Sequence, residues 1–276
     1  MANGKQKIWV SDLIGEDYKR WHNEFVILDC GTACGKTYFC IRRLGKYAAT
    51  KKRRILYLCN RSKLRNQTYR QVKDEKLQAT IYVTTYQAFQ RKIQQGDKIS
   101  HYDYIIADEC HYFTTDAGFN DYTDVAYNYL MKQKESVVVF VSATAKSFFK
   151  YLRDTSKVKK KNSYRLDKDY SYVSKLFYYQ SEELPGIIDD ILNNETDSKI
   201  IVFCNSGDRI LEMSKIYGDK ADYYCSRNTK KKRLRDLCGW KEDSNGKIIE
   251  EPACIKTYAD DLITFDKRIL FTTSVL

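Results

Sequence analysis

The chain has 276 residues, a length that accommodates two domains with a hydrophobic core each. Its formal net charge of +12 favours a polyanionic partner, nucleic acid first, although a generally basic surface would explain the same excess of lysine and arginine. No run of about 18 apolar residues occurs, which excludes a typical membrane-spanning helix. The sequence has nine cysteines and no secretory signal at its N-terminus, so we expect reduced thiols and a cytoplasmic protein. The cysteines do not have the spacing of a zinc knuckle, so we expect no structural metal.

Three aromatic residues, Trp9, Tyr18 and Trp21, precede the first predicted strand. The favoured interpretation is that they pack a first helix against the sheet. The alternative is that one of these rings covers a flat ligand such as an adenine.

A phosphate-binding loop is predicted between a strand at 25–28 and a helix that begins with the apolar residues 38–41. A glycine-containing turn that ends in Gly-Lys-Thr can direct its backbone N–H groups at anionic oxygens, and the helix N-terminus adds positive charge. Lys36 would reach the outer phosphates, and the Thr37 hydroxyl would ligate Mg²⁺. Cys30 stands where the usual pattern has its first glycine, so a chance glycine turn is the alternative. The residues predicted to bind the nucleotide are Gly31, Thr32, Ala33, Cys34, Gly35, Lys36 and Thr37.

Polar side chains follow the second and third predicted strands, 55–58 and 80–83. In open α/β sheets the ligand meets the carboxyl ends of the strands. Side chains at these ends either hold a sugar–phosphate backbone or cap the helices that follow. The sequence leaves both interpretations open for Asn60, Arg61, Thr84, Thr85 and Gln87.

Two acids, Asp108 and Glu109, directly follow the fourth predicted strand at 104–107. An acid at the end of a buried strand, in a chain with a phosphate-binding loop, is typical of a Walker B carboxylate that holds Mg²⁺. The adjacent acid can act as general base toward the attacking water. The disfavoured alternative is that both acids are ordinary surface carboxylates at the end of a strand. Together with the loop, these acids predict ATP and Mg²⁺ as cofactors.

The order of strand, loop and helix continues through a fifth strand at 137–141, which ends at Ser142-Ala143-Thr144. This order predicts an α/β fold with a parallel sheet covered on both faces. The basic segment 157–169 has little apolar periodicity and is interpreted as a linker.

A second α/β pattern follows the linker. It predicts strands at 176–179, 200–203, 223–224 and 268–271, with helices between them. We therefore predict a first domain at 1–165 and a second domain at 166–276.

In this order the motifs resemble those of superfamily 2 helicases, the DEAD/DEAH-like group. The loop 31–37 resembles motif I, the Asp-Glu-Cys-His sequence at 108–111 matches the DExH form of motif II, and Ser-Ala-Thr at 142–144 matches motif III. The segments that fall where the family has motifs Ia, Ib, IV and V are 59–61, 84–87, 202–206 and 269–274. The resemblance covers nearly the whole chain from about residue 20. It implies a RecA-like P-loop NTPase domain followed by a second, incomplete RecA-like domain.

The resemblance also implies an ATP-dependent helicase or translocase that acts on DNA or RNA. Lys36, Asp108 and Glu109 would be catalytic, and Thr37 with Asp108 would hold the metal. The residues implied to couple the nucleotide pocket to domain movement are His111, Ser142 and Thr144. The residues implied to hold a nucleic-acid strand are Asn60, Arg61, Thr84, Thr85, Gln87, Asn205, Ser206, Thr272 and Thr273.

Two departures from the family pattern shape these expectations. No upstream glutamine motif of the DEAD-box kind is evident, which places the chain closer to DExH enzymes and restriction-type translocases. The chain also ends within motif V, before motif VI and its arginine fingers, so we expect a truncated product with impaired hydrolysis. The alternative function is a fragment that binds nucleic acid and ATP with little turnover. An unpaired sheet edge in the second domain favours a homodimer, and a nucleotide kinase is disfavoured because it would not need the Ser-Ala-Thr motif.

Overall fold

The fold is described by a computed structural model. It covers residues 8–115, 123–155, 157–168, 170–171, 173–195, 197–226, 229–245, 247–257 and 263–273. Ser274, the end of the predicted motif V, lies outside the described residues. The chain divides into two compact units, 1–174 and 175–276, and each contains its own parallel sheet. Within the described ranges, no helix combines the length and the apolar character needed to cross a membrane.

Six strands organise the first unit. They are β1 (Phe25–Cys30), β2 (Ile55–Cys59), β3 (Ile81–Thr85), β4 (Tyr104–Asp108), β5 (Val137–Ser142) and β6 (Ser163–Leu166). They form one sheet in the order β3-β2-β4-β5-β1-β6, and every neighbouring pair is parallel. The predicted α/β fold with a parallel sheet is therefore confirmed.

Helices connect these strands, because parallel neighbours require a crossover rather than a tight turn. The helix after β1 runs on through Lys36–Tyr38, Phe39–Gly45 and Lys46–Thr50, and its middle stretch has π-helical hydrogen bonding. The other α-helices described in the first unit are Val10–Ile14, Ser62–Asp74, Tyr86–Gln94, Tyr112–Thr115, Thr123–Met131 and Lys146–Asp154. Short 3₁₀ helices span Asp17–Arg20 and Lys160–Asn162.

The sheet is covered on both faces by apolar side chains. Along β1, Val26 and Leu28 pack into the core cluster on one face, and Ile27 packs into the cluster on the other. Phe148 and Phe149 of the helix that follows β5 join the second cluster. Since β2, β4 and β5 are buried along their whole length, their sequences are nearly continuous apolar runs rather than alternating ones, and this is why their positions are predictable.

Strand β6 departs from the prediction that the segment 157–169 is a linker. Residues 163–166 pair in parallel with β1, from Ile27↔Ser163 to Cys30↔Leu166. The linker interpretation is wrong for this stretch. In an edge strand only one side chain in two faces the core: here Tyr164 is buried while Arg165 is exposed, so the apolar run is interrupted.

The second unit contains strands β7 (Ile200–Phe203), β8 (Ala221–Tyr224), β9 (Lys241–Glu242), β10 (Ile248–Glu250), β11 (Ile255–Thr257), β12 (Ile263–Phe265) and β13 (Ile269–Thr272). Three strands form a parallel sheet in the order β7-β13-β8. Between β8 and β13 in the sequence lie two antiparallel pairs, β9 with β10 and β11 with β12. The α-helices described in this unit are Leu184–Asn194, Gly207–Tyr217 and Lys232–Cys238. Short 3₁₀ helices span Ser181–Glu183 and Gly218–Lys220. The Phe271 ring lies at the centre of the sheet, stacked on Tyr223 with centroids 5.9 Å apart.

The strand predicted at 176–179 is wrong, since these residues have no regular structure. Tyr178 is 94% exposed, and its neighbours Leu176 and Phe177 are also exposed. A short apolar run is compatible with a buried strand, but the pattern cannot show whether a neighbouring strand is available to pair with it.

Candidate active site

The loop between β1 and the next helix bends sharply. Ala33 and Gly35 have backbone φ angles of 53° and 86°, in the left-handed region. A Cβ on Gly35 would lie 3.2 Å from the Trp9 ring, so this position combines a strained φ with close packing. The Lys36 ammonium folds back and donates to the backbone oxygens of Cys30, at 3.0 Å, and Gly31. The Lys36 side chain is therefore held against the backbone of the loop.

Lys168 packs against the start of this loop. A Cβ on Gly31 would lie 3.3 Å from the Lys168 Cα, which leaves room only for glycine unless the neighbour moves. Both residues line a cavity of about 640 Å³, which is also lined by Thr144 and several basic side chains. The sequence interpretation missed Lys168, because a lysine in a basic segment carries no signal that it lies beside a loop 137 positions earlier.

Asp108 ends β4 as a buried carboxylate that is 5% exposed. Its Oδ2 accepts a hydrogen bond from the Tyr57 hydroxyl at 2.9 Å, and its Oδ1 accepts one from the Glu109 N–H at 3.0 Å. Burial and the neighbouring Glu109 charge raise the pKa of Asp108 to about 6, and the Tyr57 hydrogen bond and the Lys36 charge offset part of this rise. A cation near Asp108 would therefore stabilise its charged form.

Glu109 has a backbone φ of 49°, which is unfavourable for a residue with a side chain. Its Oε2 lies 3.1 Å from His111 Nδ1 and accepts a hydrogen bond from the Ser142 hydroxyl at 3.2 Å. Burial alone would raise the pKa of Glu109, but the contact with His111 and the Lys36 charge lower it below its usual value. Glu109 is therefore held ionised beside a buried acid.

The three residues implied to act in coupling lie together. His111 Nδ1 is 3.1 Å from the Ser142 hydroxyl and 3.1 Å from the Thr144 hydroxyl, and the Thr144 N–H donates to the Ser142 oxygen. This contact is made possible by the pairing of β4 with β5, which sets Asp108 opposite Val141. A hydrogen-bonded network thus joins the acids that follow β4 to the tripeptide that ends β5.

Tyr57 supports Asp108, and the sequence interpretation treated it only as part of a buried strand. We expect Tyr57→Phe to lower the free energy of unfolding by about 1.5–3 kcal/mol at pH values well above 6, where Asp108 is ionised both with and without the donor. Below that pH the Asp108 carboxyl of the native state takes up a proton, so the loss should shrink as the pH falls. Denaturant unfolding at several pH values measures this difference.

The matched control for Tyr57→Phe is Tyr104→Phe. Tyr104 is also fully buried in the same sheet, but its hydroxyl accepts a hydrogen bond from Arg53 instead of donating to an acid. A loss that is independent of pH in Tyr57→Phe, or one with equal pH dependence in both variants, would contradict the role assigned to the Tyr57 hydroxyl.

The polar residues at the ends of β2 and β3, and directly after them, lie at the carboxyl edge of the sheet. Gln87 Nε2 donates to the Asn60 backbone oxygen at 3.2 Å, so the two strand ends contact each other. The Thr85 hydroxyl accepts from the Ala88 N–H and caps the next helix, and Thr84 is buried. Arg61 is exposed at the start of the helix Ser62–Asp74. Asn60, Arg61 and Gln87 thus remain the better placed of these residues for an external ligand.

In the second unit, the predicted nucleic-acid residues follow two paired strands. The Cys204 N–H donates to the Thr272 backbone oxygen at 2.7 Å, so the ends of β7 and β13 are adjacent. Asn205 is exposed, and the Ser206 hydroxyl accepts from the Arg209 N–H as a helix cap. Thr272 is fully buried and Thr273 is half-buried.

The donor set fits Mg²⁺. Thr37 supplies a hydroxyl in the first turn of its helix, and Asp108 supplies a carboxylate whose charge is not fully compensated by its neighbours. Mg²⁺ prefers oxygen donors and is usually bound by one or two carboxylates together with phosphates and water. Among the described residues, no group of three or more His, Cys, Asp or Glu side chains is placed to hold a metal ion.

A parallel α/β sheet with a glycine-lysine loop after β1 and a buried acid at the end of β4 defines a P-loop NTPase. Residues 3–147, more than half of the 276-residue chain, match the model of the family described as the res subunit of type III restriction enzymes. The chain belongs to this family, whose domain is a helicase-like P-loop NTPase of superfamily 2, and the predicted resemblance is confirmed. The family binds ATP, usually with Mg²⁺, and generally binds nucleic acid. No curated protein matches the chain.

Proposed function

We propose that this protein hydrolyses ATP with Mg²⁺ and uses the hydrolysis to move on, or to unwind, a nucleic acid. The observation that carries the proposal is the network in which His111 Nδ1 contacts Glu109, Ser142 and Thr144, each at 3.1 Å. This network links Glu109, the acid suited to activate water, with the Ser-Ala-Thr tripeptide at 142–144, which is suited to sense the nucleotide. A purely structural pair of acids would not require this link.

The residues of the first unit would divide the chemistry among them. Lys36 would leave the backbone oxygens of Cys30 and Gly31 to bind the outer phosphates of ATP. Glu109, held ionised, would orient the attacking water and accept its proton. Thr37 and Asp108 would hold Mg²⁺, which neutralises the phosphate charge when it is bound.

The nucleic-acid partner is supported by charge and by position. The net charge of +12 favours binding of a polyanion. Asn60, Arg61 and Gln87 lie where parallel sheets meet their ligands, and Asn205 and Thr273 follow paired strands of the second unit. These contacts would be made mainly to phosphates and sugars, because side chains of this kind position a strand without reading its sequence.

A steady-state ATPase assay tests the proposal. Turnover is measured with single- and double-stranded DNA and RNA, each at several salt concentrations. We expect at least one of these to stimulate hydrolysis, with a stimulation that falls as salt rises. ATP binding without measurable turnover on every nucleic acid would favour the alternative of a nucleic-acid- and ATP-binding protein, and the absence of ATP binding would overturn both.

A further inference from the structure

A basic cavity of about 640 Å³ lies beside the start of the phosphate loop. Gly31 lines it from the loop, and Leu166 lines it from the end of β6, which pairs with the end of β1. The charged side chains of its lining are five basic ones and two acidic ones, all of them in the first unit. The cavity therefore carries a net positive charge next to the proposed nucleotide loop.

Both acids of the cavity have an arginine beside them. The Asp29 Oδ2 accepts a hydrogen bond from Arg153 Nη2 at 3.1 Å, and the Arg153 Nε donates to the Ser163 hydroxyl at 2.9 Å. The Arg165 Nε lies 3.5 Å from the Asp167 Oδ1. The two arginines thus offset the two acids, and the excess positive charge of the cavity comes from other side chains.

Three lysines, Lys146, Lys150 and Lys168, supply the excess positive charge. Lys146 and Lys150 are four positions apart on the helix Lys146–Asp154, so they lie on the same face of that helix. Lys168 follows β6. All three are exposed, and within the described part of the chain none of them forms an ion pair. Like charges that line one concave site repel each other, and a bound anion relieves this repulsion.

The cavity contacts two parts of the candidate active site. A Cβ on Gly31 would lie 3.3 Å from the Lys168 Cα and 3.4 Å from its Cγ, so this lysine lies against the loop. Thr144 of the Ser-Ala-Thr tripeptide also lines the cavity. By contrast, Asn60 and Gln87 follow β2 and β3, which are separated from β1 and β6 in the strand order. The position of the cavity therefore favours a phosphate of the nucleotide over the backbone of a nucleic acid.

We propose that this cavity is a phosphate site beside the nucleotide loop, where Lys146, Lys150 and Lys168 hold the terminal phosphate of bound ATP or free inorganic phosphate. Lysine binds phosphate as a compact charge with three hydrogen-bond donors. Among the described residues no aromatic side chain lines the cavity, so a nucleobase finds no ring to stack on there. The role toward ATP rests on the proposed function, whereas the binding of free phosphate does not.

The test measures binding of inorganic phosphate to the full chain without nucleotide, by equilibrium dialysis at constant ionic strength in chloride. Lys168→Met removes the charge but keeps an unbranched side chain that can pack against Gly31, and Lys168→Arg keeps the charge. Lys146→Met removes a second charge, alone and together with Lys168→Met. The matched control is Lys134→Met, because Lys134 is exposed just before β5, at the opposite end of that strand from the cavity.

We expect Lys168→Met and Lys146→Met each to weaken phosphate binding by about three- to tenfold, and the double variant by more, because each removes one charged donor. Lys168→Arg should retain most of the affinity, and Lys134→Met should bind phosphate as the unmodified chain does. In a second measurement, the methionine variants at 146 and 168 should lose affinity for ATP but keep their affinity for ADP, since only ATP has the terminal phosphate.

Phosphate binding that is absent, or equal in all variants, would overturn the inference. So would phosphate binding that disappears in Lys36→Ala and persists in the double variant, because the anion would then occupy the loop. Weaker binding of a single-stranded oligonucleotide in the double variant, with phosphate binding unchanged, would assign the cavity to the nucleic-acid interface instead. Failure of the unmodified chain to bind ATP would count against the proposed function, whereas the binding of free phosphate would still test the cavity.

Discussion

Replacing Glu109 with glutamine is expected to lower ATP turnover by about 10²- to 10⁴-fold while ATP binding is retained, because glutamine cannot accept the proton of the attacking water. Glutamine has nearly the same size and can still accept the hydrogen bond from Ser142. The strained φ of 49° at this position is unchanged by the substitution. The variant therefore isolates the proton-accepting role from packing. Steady-state turnover and equilibrium ATP binding are measured on the same preparation.

The matched control is Glu135→Gln, which removes an exposed carboxylate just before β5. It should leave both turnover and binding unchanged. If turnover in Glu109→Gln stays near that of the control, Glu109 is not the base. If ATP binding falls together with turnover, Glu109 contributes to nucleotide binding rather than to activation of the water. Either result would show that the role assigned to Glu109 is wrong.

The strands buried on both faces could be predicted because burial requires an apolar residue at nearly every position of the strand. Every residue of β2 and β5 is buried, so apolar side chains appear without a break and mark the strand. The edge strand β6 is different, since Arg165 faces solvent between Tyr164 and Leu166. The exposed run 176–179 shows the converse error, because apolar residues without a pairing partner do not make a strand.

The candidate site was predictable where its chemistry lies within one short segment. Lys36 and Asp108 belong to local motifs that need only a strand, a turn or a helix around them. The contact of Glu109 with Ser142 depends on the pairing of β4 with β5, which no local sequence pattern contains. The hydrogen bond from Tyr57 to Asp108 has no sequence signal, because a tyrosine in a buried strand looks like core packing.

Lys36→Ala is expected to weaken ATP binding by about ten- to a hundredfold or more, since hydrogen bonds to charged groups contribute about 1.5–3 kcal/mol each. Turnover should fall with binding, which distinguishes this variant from Glu109→Gln. Isothermal titration with ATP and Mg²⁺ measures the loss. The substitution also removes the donor from the Cys30 and Gly31 backbone oxygens, so thermal unfolding is measured to separate loss of the loop structure from loss of the charge.

Lys46→Ala provides the matched control for Lys36→Ala. Lys46 lies on the next stretch of the same helix, where its exposed ammonium pairs with Glu75 at 2.7 Å. Removing it takes away one positive charge at a similar place in the chain, but not one that faces the loop. If both variants weaken ATP binding equally, the effect is a general one of net charge. If neither does, the phosphates do not bind at Lys36, and the assignment of this loop as the nucleotide site is wrong.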